Sequence, residues 1–278
     1  MKPDPDLLPA REQPGMKDMR RRVKHVLAWA IFRLGLHRHL LRDRATIVVF
    51  HRVDDGLQED PISCGTQAFE RFCRFFSRYF EVISLEELLR RLEAGLPLGG
   101  TLCITFDDGY LDNRTLAAPM LEEHGLPACF FISSGLVGSS RVPPWDAEQG
   151  IDSKWMSWSD VHALLKMGFE VGAHTVNHVD LGALSGDEAR SEIADSRTHL
   201  EAELGIPVPW FSFPFGGRSQ ATAEKRGIVA ELGFQACLSA HGGAVRADSD
   251  PLDLPRLPIS PWYASTYHLG WEILFVNR

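Results

Sequence analysis

The sequence predicts an α/β fold in which parallel strands and helices form a closed or nearly closed β/α barrel. Apolar, strand-like runs alternate with single helix-like stretches from residue 46 to about residue 259, which is typical of a parallel sheet with helical crossovers. The number of these units fits one barrel better than two smaller domains. A length of 278 residues, of which 44% are hydrophobic and 24% charged, is also sufficient for one large core.

The individual elements follow from apolar periodicity and from helix-capping residues. Predicted strands, in chain order, cover residues 46–50, 80–83, 102–106, 128–132, 169–173, 210–213, 234–237 and 256–259. Predicted helices cover residues 84–93, 111–124, 159–167 and 185–204. Two of these helices begin with a capping box, in which Ser84 pairs with Glu87 and Ser185 pairs with Glu188.

Composition and charge narrow the classes of function. The formal net charge of −8 and the pI near 5.8 argue against nucleic acid as a partner, because binding phosphates requires a basic face. The five cysteines are odd in number and show no CxxC spacing, and Cys103 and Cys129 lie inside strand-like runs. We therefore expect reduced core cysteines and a reducing compartment.

The first 44 residues differ from the rest, so we expect a boundary between residues 1–44 and a barrel at 45–278. Residues 1–15 are rich in proline and predict a flexible tail, whereas residues 16–44 carry nine Lys and Arg against two Asp. The apolar run within them is shorter than the ~20 residues that span a bilayer. No small-residue cleavage site follows it, so secretion is the second choice for localisation.

Two interpretations of residues 16–44 are open. A basic amphipathic helix could lie on the anionic cytoplasmic face of the inner membrane, or the same helix could pack its apolar stripe on the barrel. The expected localisation is therefore cytoplasmic, with peripheral membrane contact under the first interpretation.

Polar residues follow several of the predicted strands, at the end where barrel enzymes carry their chemistry. His51, the pair Asp107 and Asp108, His174, and the stretch 214–216 all occupy such positions. Gly109 permits a sharp turn that could bring both carboxylates to one rim. Taken alone, Asp107 and Asp108 would fit an ordinary strand-to-loop turn equally well.

The spacing of His174 and His178 favours a metal site. Histidines at i and i+4 lie on one face of a helical turn, which brings two imidazoles onto one cation. Two His and one Asp leave positions open for water and substrate, as catalytic zinc sites require, although Fe(II), Mn(II) and Co(II) accept the same donors. A zinc-like ion lowers the pKa of water to about 7, so the second aspartate could act as a base.

These motifs resemble those of a known family. Residues 105–109 (TFDDG) and 174–178 (HTVNH) resemble the first two motifs of the NodB-type polysaccharide deacetylases, carbohydrate esterase family 4. The resemblance covers about residues 46–260. Residues 50–55 (FHRVDD), 157–158 (SW) and 254–256 (LPR) are similar to the branch acting on exopolysaccharides.

The resemblance implies a distorted β/α barrel, a divalent metal usually assigned as zinc, and hydrolysis of N-acetyl groups on N-acetylhexosamine units of a polysaccharide. By position, it implies that Asp107 is the base and that Asp108, His174 and His178 are the metal ligands.

Two departures from the family pattern concern the machinery around Asp107. Residues 212–216 (SFPFG) place Ser212 where the family commonly has an arginine that orients the base. Arg256 is a candidate to supply that charge, or it is a surface arginine. The late Leu-x-His of the general acid is not evident either, and the substitutes are His51, His241 and His268, in that order.

The substrate side and the class of function also have alternatives. Phe215 and Pro214, with Trp145 and Trp158, could contact sugar or acetyl groups, although a Trp is more often a packing residue. The first alternative function is a catalytically degenerate carbohydrate-binding protein of the same fold. The second is a metal-dependent amidohydrolase acting on a small nitrogenous substrate, which a narrow, closed site would favour.

Overall fold

The computed structural model describes residues 14–57, 60–260, 263 and 265–275, with side chains from residue 19 onward. The strands are β1 (Arg44–Phe50), β2 (Arg52–Val53), β3 (Ser63–Cys64), β4 (Glu81–Val82), β5 (Thr101–Phe106), β6 (Ala128–Ile132), β7 (Glu170–Ala173), β8 (Trp210–Ser212), β9 (Ala236–Leu238), β10 (Val245–Arg246) and β11 (Leu257–Pro258). The α-helices are α1 (Pro14–Arg33), α2 (His37–Leu40), α3 (Thr66–Tyr79), α4 (Leu85–Glu93), α5 (Ala118–Glu123), α6 (Pro144–Ala147), α7 (Trp158–Lys166), α8 (Gly186–Leu204), α9 (Ala223–Glu231) and α10 (Thr266–Phe275).

Nine of these strands form one mixed sheet that curls into a distorted barrel. Its order is β10-β1-β5-β6-β7-β8-β9, with β11 also paired to β1 and β4 also paired to β5. Within the described residues, only β10 runs antiparallel to its neighbour, and every other pairing in this sheet is parallel. The predicted fold class is therefore confirmed.

A late segment of the chain connects the two ends of the curled sheet. Leu254 bridges to Leu238 of β9. A few residues further on, β11 runs parallel to β1, with Leu257 beside Val48. Residues 254–258, which we call the closing segment, therefore lie between β9 and β1.

Alternate residues of the central strands pack on opposite faces of the sheet. On the face covered by helices, Phe106 stacks between Phe50 and Phe130 at ring distances of 5.4 and 4.9 Å. The other face holds a second buried cluster that includes Cys103 and Phe131. Asp107 continues the alternation from Cys103 and so projects on this second face, away from the phenylalanines.

The predicted helix over 111–124 is only partly regular. Residues Asn113–Ala117 form a π-helical turn, and α5 follows it. The Asn113 side chain donates from Nδ2 to the carbonyl of His51 at 2.7 Å, which ties the turn to the end of β1. Helical periodicity in the sequence carries no signal for such a tie, and π-helical turns are frequent near functional sites.

Helix α1 packs against the body of the protein through one face. The ring of Phe32 lies 5.0 Å from Phe75 of α3, and Lys24 Nζ donates to Glu272 of α10 at 2.8 Å. Gly270 allows α10 to come close, because a Cβ there would lie 2.6 Å from the Phe32 ring. Packing on the barrel, one of the two interpretations of this region, is therefore observed.

Two other expectations concern this region and the cysteines. The predicted flexible tail falls outside the described residues, except for its last two residues, which begin α1. No helix in the described ranges combines the length and apolar character needed to cross a membrane. All five cysteines are buried and free, as expected.

Candidate active site

The two adjacent carboxylates lie where β5 turns. The Asp107 N–H still donates to the carbonyl of Phe50 at 3.0 Å, so this residue keeps the strand pairing. Asp108 and Gly109 then adopt left-handed backbone conformations, with φ of 76° and 93°. The turn that was attributed to Gly109 thus begins one residue earlier, at an aspartate, a residue type that tolerates positive φ better than most. Both carboxylates are buried, and each lies next to a different set of partners.

Asp108 faces two imidazoles. Its Oδ1 lies 3.2 Å from His174 Nε2 and 3.0 Å from His178 Nε2. One donor atom from each of these three residues lies within 4.8 Å of the others. The predicted metal ligands are therefore brought together by the fold.

The hydrogen bonding of His174 shows which nitrogen faces the cluster. Its Nδ1 lies 2.8 Å from the Ser212 carbonyl, and since a carbonyl only accepts, Nδ1 carries the proton and donates. The neutral ring then presents a lone pair on Nε2 toward Asp108. Carbonyls that orient a ligating imidazole in this way are a common feature of metal sites.

The donor set fits a divalent cation. Asp108 Oδ1 is buried and has no hydrogen-bond donor among the described residues, and leaving a buried acceptor unsatisfied is costly. Burial raises the pKa of Asp108, but His178 and His174 outweigh it and hold that pKa well below the ordinary value. An ionised carboxylate and two imidazoles are ligands that zinc and related ions accept.

The expectation that His174 and His178 share a helical turn is wrong. Residues 174–178 are irregular, and both Thr175 and His178 have positive φ, at 63° and 52°. The i, i+4 spacing predicted the right pair for the wrong reason. Two left-handed residues fold the chain back, and the centroids of the two imidazole rings then lie 5.0 Å from each other. Non-glycine residues in this region of backbone conformation are strained, so the surrounding structure must hold them.

Two neighbouring segments hold this histidine turn. On one side, the Gly135 N–H donates to the Val176 carbonyl at 2.8 Å. On the other side, Glu192 of α8 accepts from the N–H groups of Val176 and Asn177 at 3.0 and 2.9 Å, and from Asn177 Nδ2 at 2.7 Å. The sequence analysis missed Glu192, because an acidic residue on a helix face is ordinarily a surface residue and nothing local marks it.

Asp107 is paired with Arg256. The guanidinium donates from Nη1 to Oδ1 and from Nη2 to Oδ2, both at 2.7 Å. Such bidentate pairs are strong and fix the plane of the carboxylate. Burial raises the pKa of Asp107, but Arg256 and His174 outweigh it and bring that pKa below the ordinary value. Arg256 thus supplies a guanidinium to Asp107, although the family's usual arginine position is occupied by Ser212.

Arg256 is fully buried and uses all of its donors. Besides Asp107, its N–H groups reach Thr105 Oγ1 at 3.2 Å, Ser212 Oγ at 2.7 Å and the Ser239 carbonyl at 2.9 Å. These are all five donors that a guanidinium has. Ser212, at the family's arginine position, also donates from its hydroxyl to Asp107 Oδ2 at 3.2 Å. Arg256 comes from the closing segment, so closure of the barrel delivers it.

An aromatic wall stands beside His178. The rings of Trp145 and Phe215 lie 4.7 and 4.9 Å from the His178 ring. Trp145 Nε1 donates to the Tyr110 hydroxyl at 3.1 Å, and the Arg52 guanidinium lies 4.0 Å from the Tyr110 ring. Sequence reasoning missed this support, since nothing local links Tyr110 or Arg52 to Trp145.

The remaining predicted residues are placed differently. His51 directly follows β1, and its pKa lies below the ordinary value because burial outweighs the opposing effect of Asp108 and Asp107. Pro214 is buried beside the exposed Phe215, whereas Trp158 begins α7 and packs against the hydrophobic core. The roles of these residues stay predictions.

The two substitute histidines lie elsewhere. His268 belongs to α10, with its Nε2 3.7 Å from Glu272. The nearest acidic group to His241 is Asp253, 3.9 Å from its Nε2.

Comparison with known proteins finds a matching family. The model of the polysaccharide deacetylase family matches residues 97–237. YxkH of Bacillus subtilis (strain 168) is 23% identical over 217 residues, which cover 77% of this chain and 71% of that protein.

Solved structures show the same fold. The Streptococcus pyogenes deacetylase PplD, in complex with acetate, matches with a TM-score of 0.69 and 22% identity, over 82% of this chain and 97% of that chain. IcaB from Ammonifex degensii matches with a TM-score of 0.69 and 20% identity, over 82% of this chain and 97% of that chain. The chain belongs to the polysaccharide deacetylase family.

Proposed function

We propose that the protein is a metal-dependent hydrolase that removes N-acetyl groups from N-acetylhexosamine units of a polysaccharide or its precursor. The observation that carries this proposal is the arrangement of two adjacent aspartates with different partners. Asp107 is held ionised by a bidentate arginine, and Asp108 faces two imidazoles with an oxygen that lacks a donor. One base and one cation site side by side are what hydrolysis of an unactivated amide needs.

Asp108, His174 and His178 would hold the divalent metal, for which zinc is the first choice. A bound zinc ion lowers the pKa of water toward 7 and polarises a carbonyl. His174 would ligate through Nε2, because its Nδ1 proton is held by the Ser212 carbonyl.

Asp107 is assigned the role of base. Its lowered pKa keeps it ionised near neutral pH, and Arg256 with Ser212 fixes its plane, so one carboxylate lone pair can accept a proton from the attacking water. The backbone N–H near Phe215 is assigned to the oxyanion that forms on the acetamide carbonyl.

His51 is assigned to protonate the departing amine. Burial lowers its pKa more than Asp108 and Asp107 raise it, so the resting imidazole is neutral near pH 7. The proton that Asp107 takes from the attacking water is the one that would pass to His51 and from there to the departing amine.

The aromatic wall supports a sugar substrate. Trp145 and Phe215 stand beside His178, and Phe215 is 46% exposed. An exposed aromatic next to the predicted metal ligands suits an apolar sugar face or an acetyl methyl group. This openness favours a polymer over the small nitrogenous substrate of an amidohydrolase with a closed site.

The test is acetate release from N-acetylglucosamine oligomers, with zinc and after chelation. We expect release with zinc and loss after chelation. Asp108→Ala should lose both zinc binding and turnover, whereas Asp107→Asn should retain zinc and lose turnover. The proposal fails if both variants still release acetate.

The alternatives give different results. A catalytically degenerate carbohydrate-binding protein would bind the oligomers without releasing acetate under any metal, although the pairing of Asp107 with Arg256 speaks against lost machinery. An amidohydrolase would cleave small acetamides faster than oligomers at equal concentration. A set of linear oligomers of different linkage would then identify the polymer.

A further inference from the structure

The exposed apolar side chains of the described residues are concentrated on helix α1 and the turn that follows it. Of the twelve large apolar side chains that are exposed in the described part of the chain, seven lie between Met19 and Leu36. These seven, which we call the α1 patch, are Met19, Val23, Val26, Leu27, Trp29, Leu34 and Leu36, each between 46% and 73% exposed. Single exposed apolar residues are normal, but a cluster of this kind marks an interaction surface.

The α1 patch lies on the face of the helix that the fold does not use. Val23 follows Met19 by four residues, and Val26 and Leu27 follow Val23 by three and four residues, which places all four along one side of α1. The buried residues Ala28 and Phe32 lie on the opposite side, against α10 and α3. The helix is therefore apolar on both faces, and packing on the barrel explains only one of them.

Basic side chains border the stripe. In helical order, Arg20 lies next to Leu27 on one flank, and Arg22 and Arg33 lie next to Val26 on the other, all three exposed. Residues 16–44 carry nine Lys and Arg against two Asp on a chain with a net charge of −8. A basic, apolar helix face on an acidic protein is electrostatically suited to an acidic surface.

We propose that the α1 patch binds the surface of an anionic phospholipid bilayer, with α1 lying in the plane of the interface. An interfacial helix inserts apolar side chains among the acyl chains while flanking arginines contact lipid phosphates. Trp29, on the border of the stripe, is the residue type that favours this depth. A second copy of this chain would place the basic flanks of two α1 helices close together, which charge repulsion disfavours. The cytoplasmic leaflet, which is anionic, is the matching surface.

The test is co-sedimentation of the full chain with vesicles of equal parts phosphatidylglycerol and phosphatidylcholine, compared with phosphatidylcholine alone. We expect binding to the anionic vesicles that weakens as salt rises from ~0.1 M to ~1 M, as screening requires. The variant Arg22→Gln/Arg33→Gln should bind at least ~10-fold more weakly, since each charge contributes about fivefold. The variant Val23→Gln/Val26→Gln/Leu27→Gln should lose binding.

Matched controls change the same residue types elsewhere on the surface. Arg71→Gln/Lys166→Gln removes two exposed charges, and Leu96→Gln/Ile206→Gln removes two exposed apolar side chains. Both controls should bind like the wild type. Because none of these residues belongs to the proposed active site, acetate release from soluble oligomers should be unchanged in every variant and reports intact folding.

Three results would overturn the proposal. The first is that the wild-type chain does not bind anionic vesicles. The second is that the patch variants and the control variants lose vesicle binding equally. The third is that the wild-type chain is a dimer that does not bind vesicles, and the variant Val23→Gln/Val26→Gln/Leu27→Gln is a monomer. The last result would assign the α1 patch to a second copy of the chain.

Discussion

Two halves of the site, built around neighbouring aspartates, solve the problem of a buried carboxylate in opposite ways. On the arginine side, the charge of Asp107 is balanced by Arg256 from the same chain, and every donor of that guanidinium is used. On the histidine side, Asp108 Oδ1 lies against two imidazole nitrogens and has no hydrogen-bond donor within the described part of the chain. The first half is balanced within the chain, whereas the second presents the donor set of a cation site.

This difference separates what each half contributes. The arginine side is rigid, because strand pairing holds Asp107 and three side-chain hydrogen bonds, two from Arg256 and one from Ser212, fix the carboxylate that we propose as the base. The histidine side rests on an irregular turn with two left-handed residues, held by Glu192 and by backbone bonds from Ser134 and Gly135. Substitutions on the arginine side should therefore change the pKa of Asp107 and the stability of the protein. Substitutions on the histidine side should change the affinity for metal.

The largest effect is expected from Arg256→Gln. Removing one partner of a buried ion pair costs about 3–5 kcal/mol of stability. Burial would then dominate the pKa of Asp107 and raise it, so the acid limb of the activity profile should move to higher pH. Urea unfolding and the pH dependence of acetate release measure the two consequences.

A second substitution separates these consequences. In Arg256→Gln/Asp107→Asn no charge is left unpaired, so stability should largely return while turnover stays lost. Unchanged stability and pH profile in Arg256→Gln alone would show that the pair does not hold the base.

A pH dependence of stability follows from the same pair. Because the pKa of folded Asp107 lies below its ordinary value of 3.8, its ionised form contributes stability above that value, and the contribution is lost as pH falls through the folded pKa. In metal-free protein, the stability of Arg256→Gln should no longer fall with pH through this contribution of Asp107. Acid unfolding, monitored by circular dichroism, measures the difference. An identical acid transition in the two proteins would contradict the assignment.

An intermediate effect is expected from Glu192→Ala on the histidine side. Loss of three hydrogen bonds to the histidine turn should weaken zinc binding by about 10-fold, the lower end of what supporting residues contribute to metal sites. Calorimetric titration with zinc measures it. Asp195→Ala, on the same helix, is the matched control and should bind zinc like the wild type. A similar loss of zinc affinity in both variants would show that the loss comes from the change in net charge.

The smallest effect is expected from Ser212→Ala. The hydroxyl is one of several partners of Asp107 and Arg256, and a typical hydrogen bond contributes only about 0.5–1.5 kcal/mol. Turnover should fall by less than about 10-fold, with zinc affinity unchanged, because His174 is bonded to the Ser212 carbonyl and not to its hydroxyl. A loss of zinc binding in this variant would mean that the two halves are not independent.

Sequence reasoning reached the parts of the site that local patterns encode. Apolar runs located the strands, and their ends located His51, Asp107 and His174 on one rim. Partners that depend on tertiary structure were harder to reach. The sequence offered Arg256 as a candidate but could not decide between a partner of Asp107 and a surface arginine, because the two residues are 149 positions apart. Glu192 was missed, because it contacts backbone N–H groups, which are the same for every residue type except proline.

The histidine turn shows a second limit. A spacing of four residues fits a helical turn and an irregular turn equally, and positive φ at Thr175 and His178 has no signature in residue type. The motif therefore predicted which residues meet, but not the conformation that brings them together.

The position of the closing segment in the chain sets the order in which the site residues are synthesised. Both carboxylates of β5 leave the ribosome before Arg256 does, and at ~5–20 residues per second the interval is roughly 7 to 30 s. A nascent chain in that interval already holds the two aspartates and, later, both histidines, but not the cation that keeps Asp107 ionised in the folded protein. Under the proposed function, a stalled fragment ending before Leu254 would carry the proposed metal ligands but not the arginine that pairs with the proposed base.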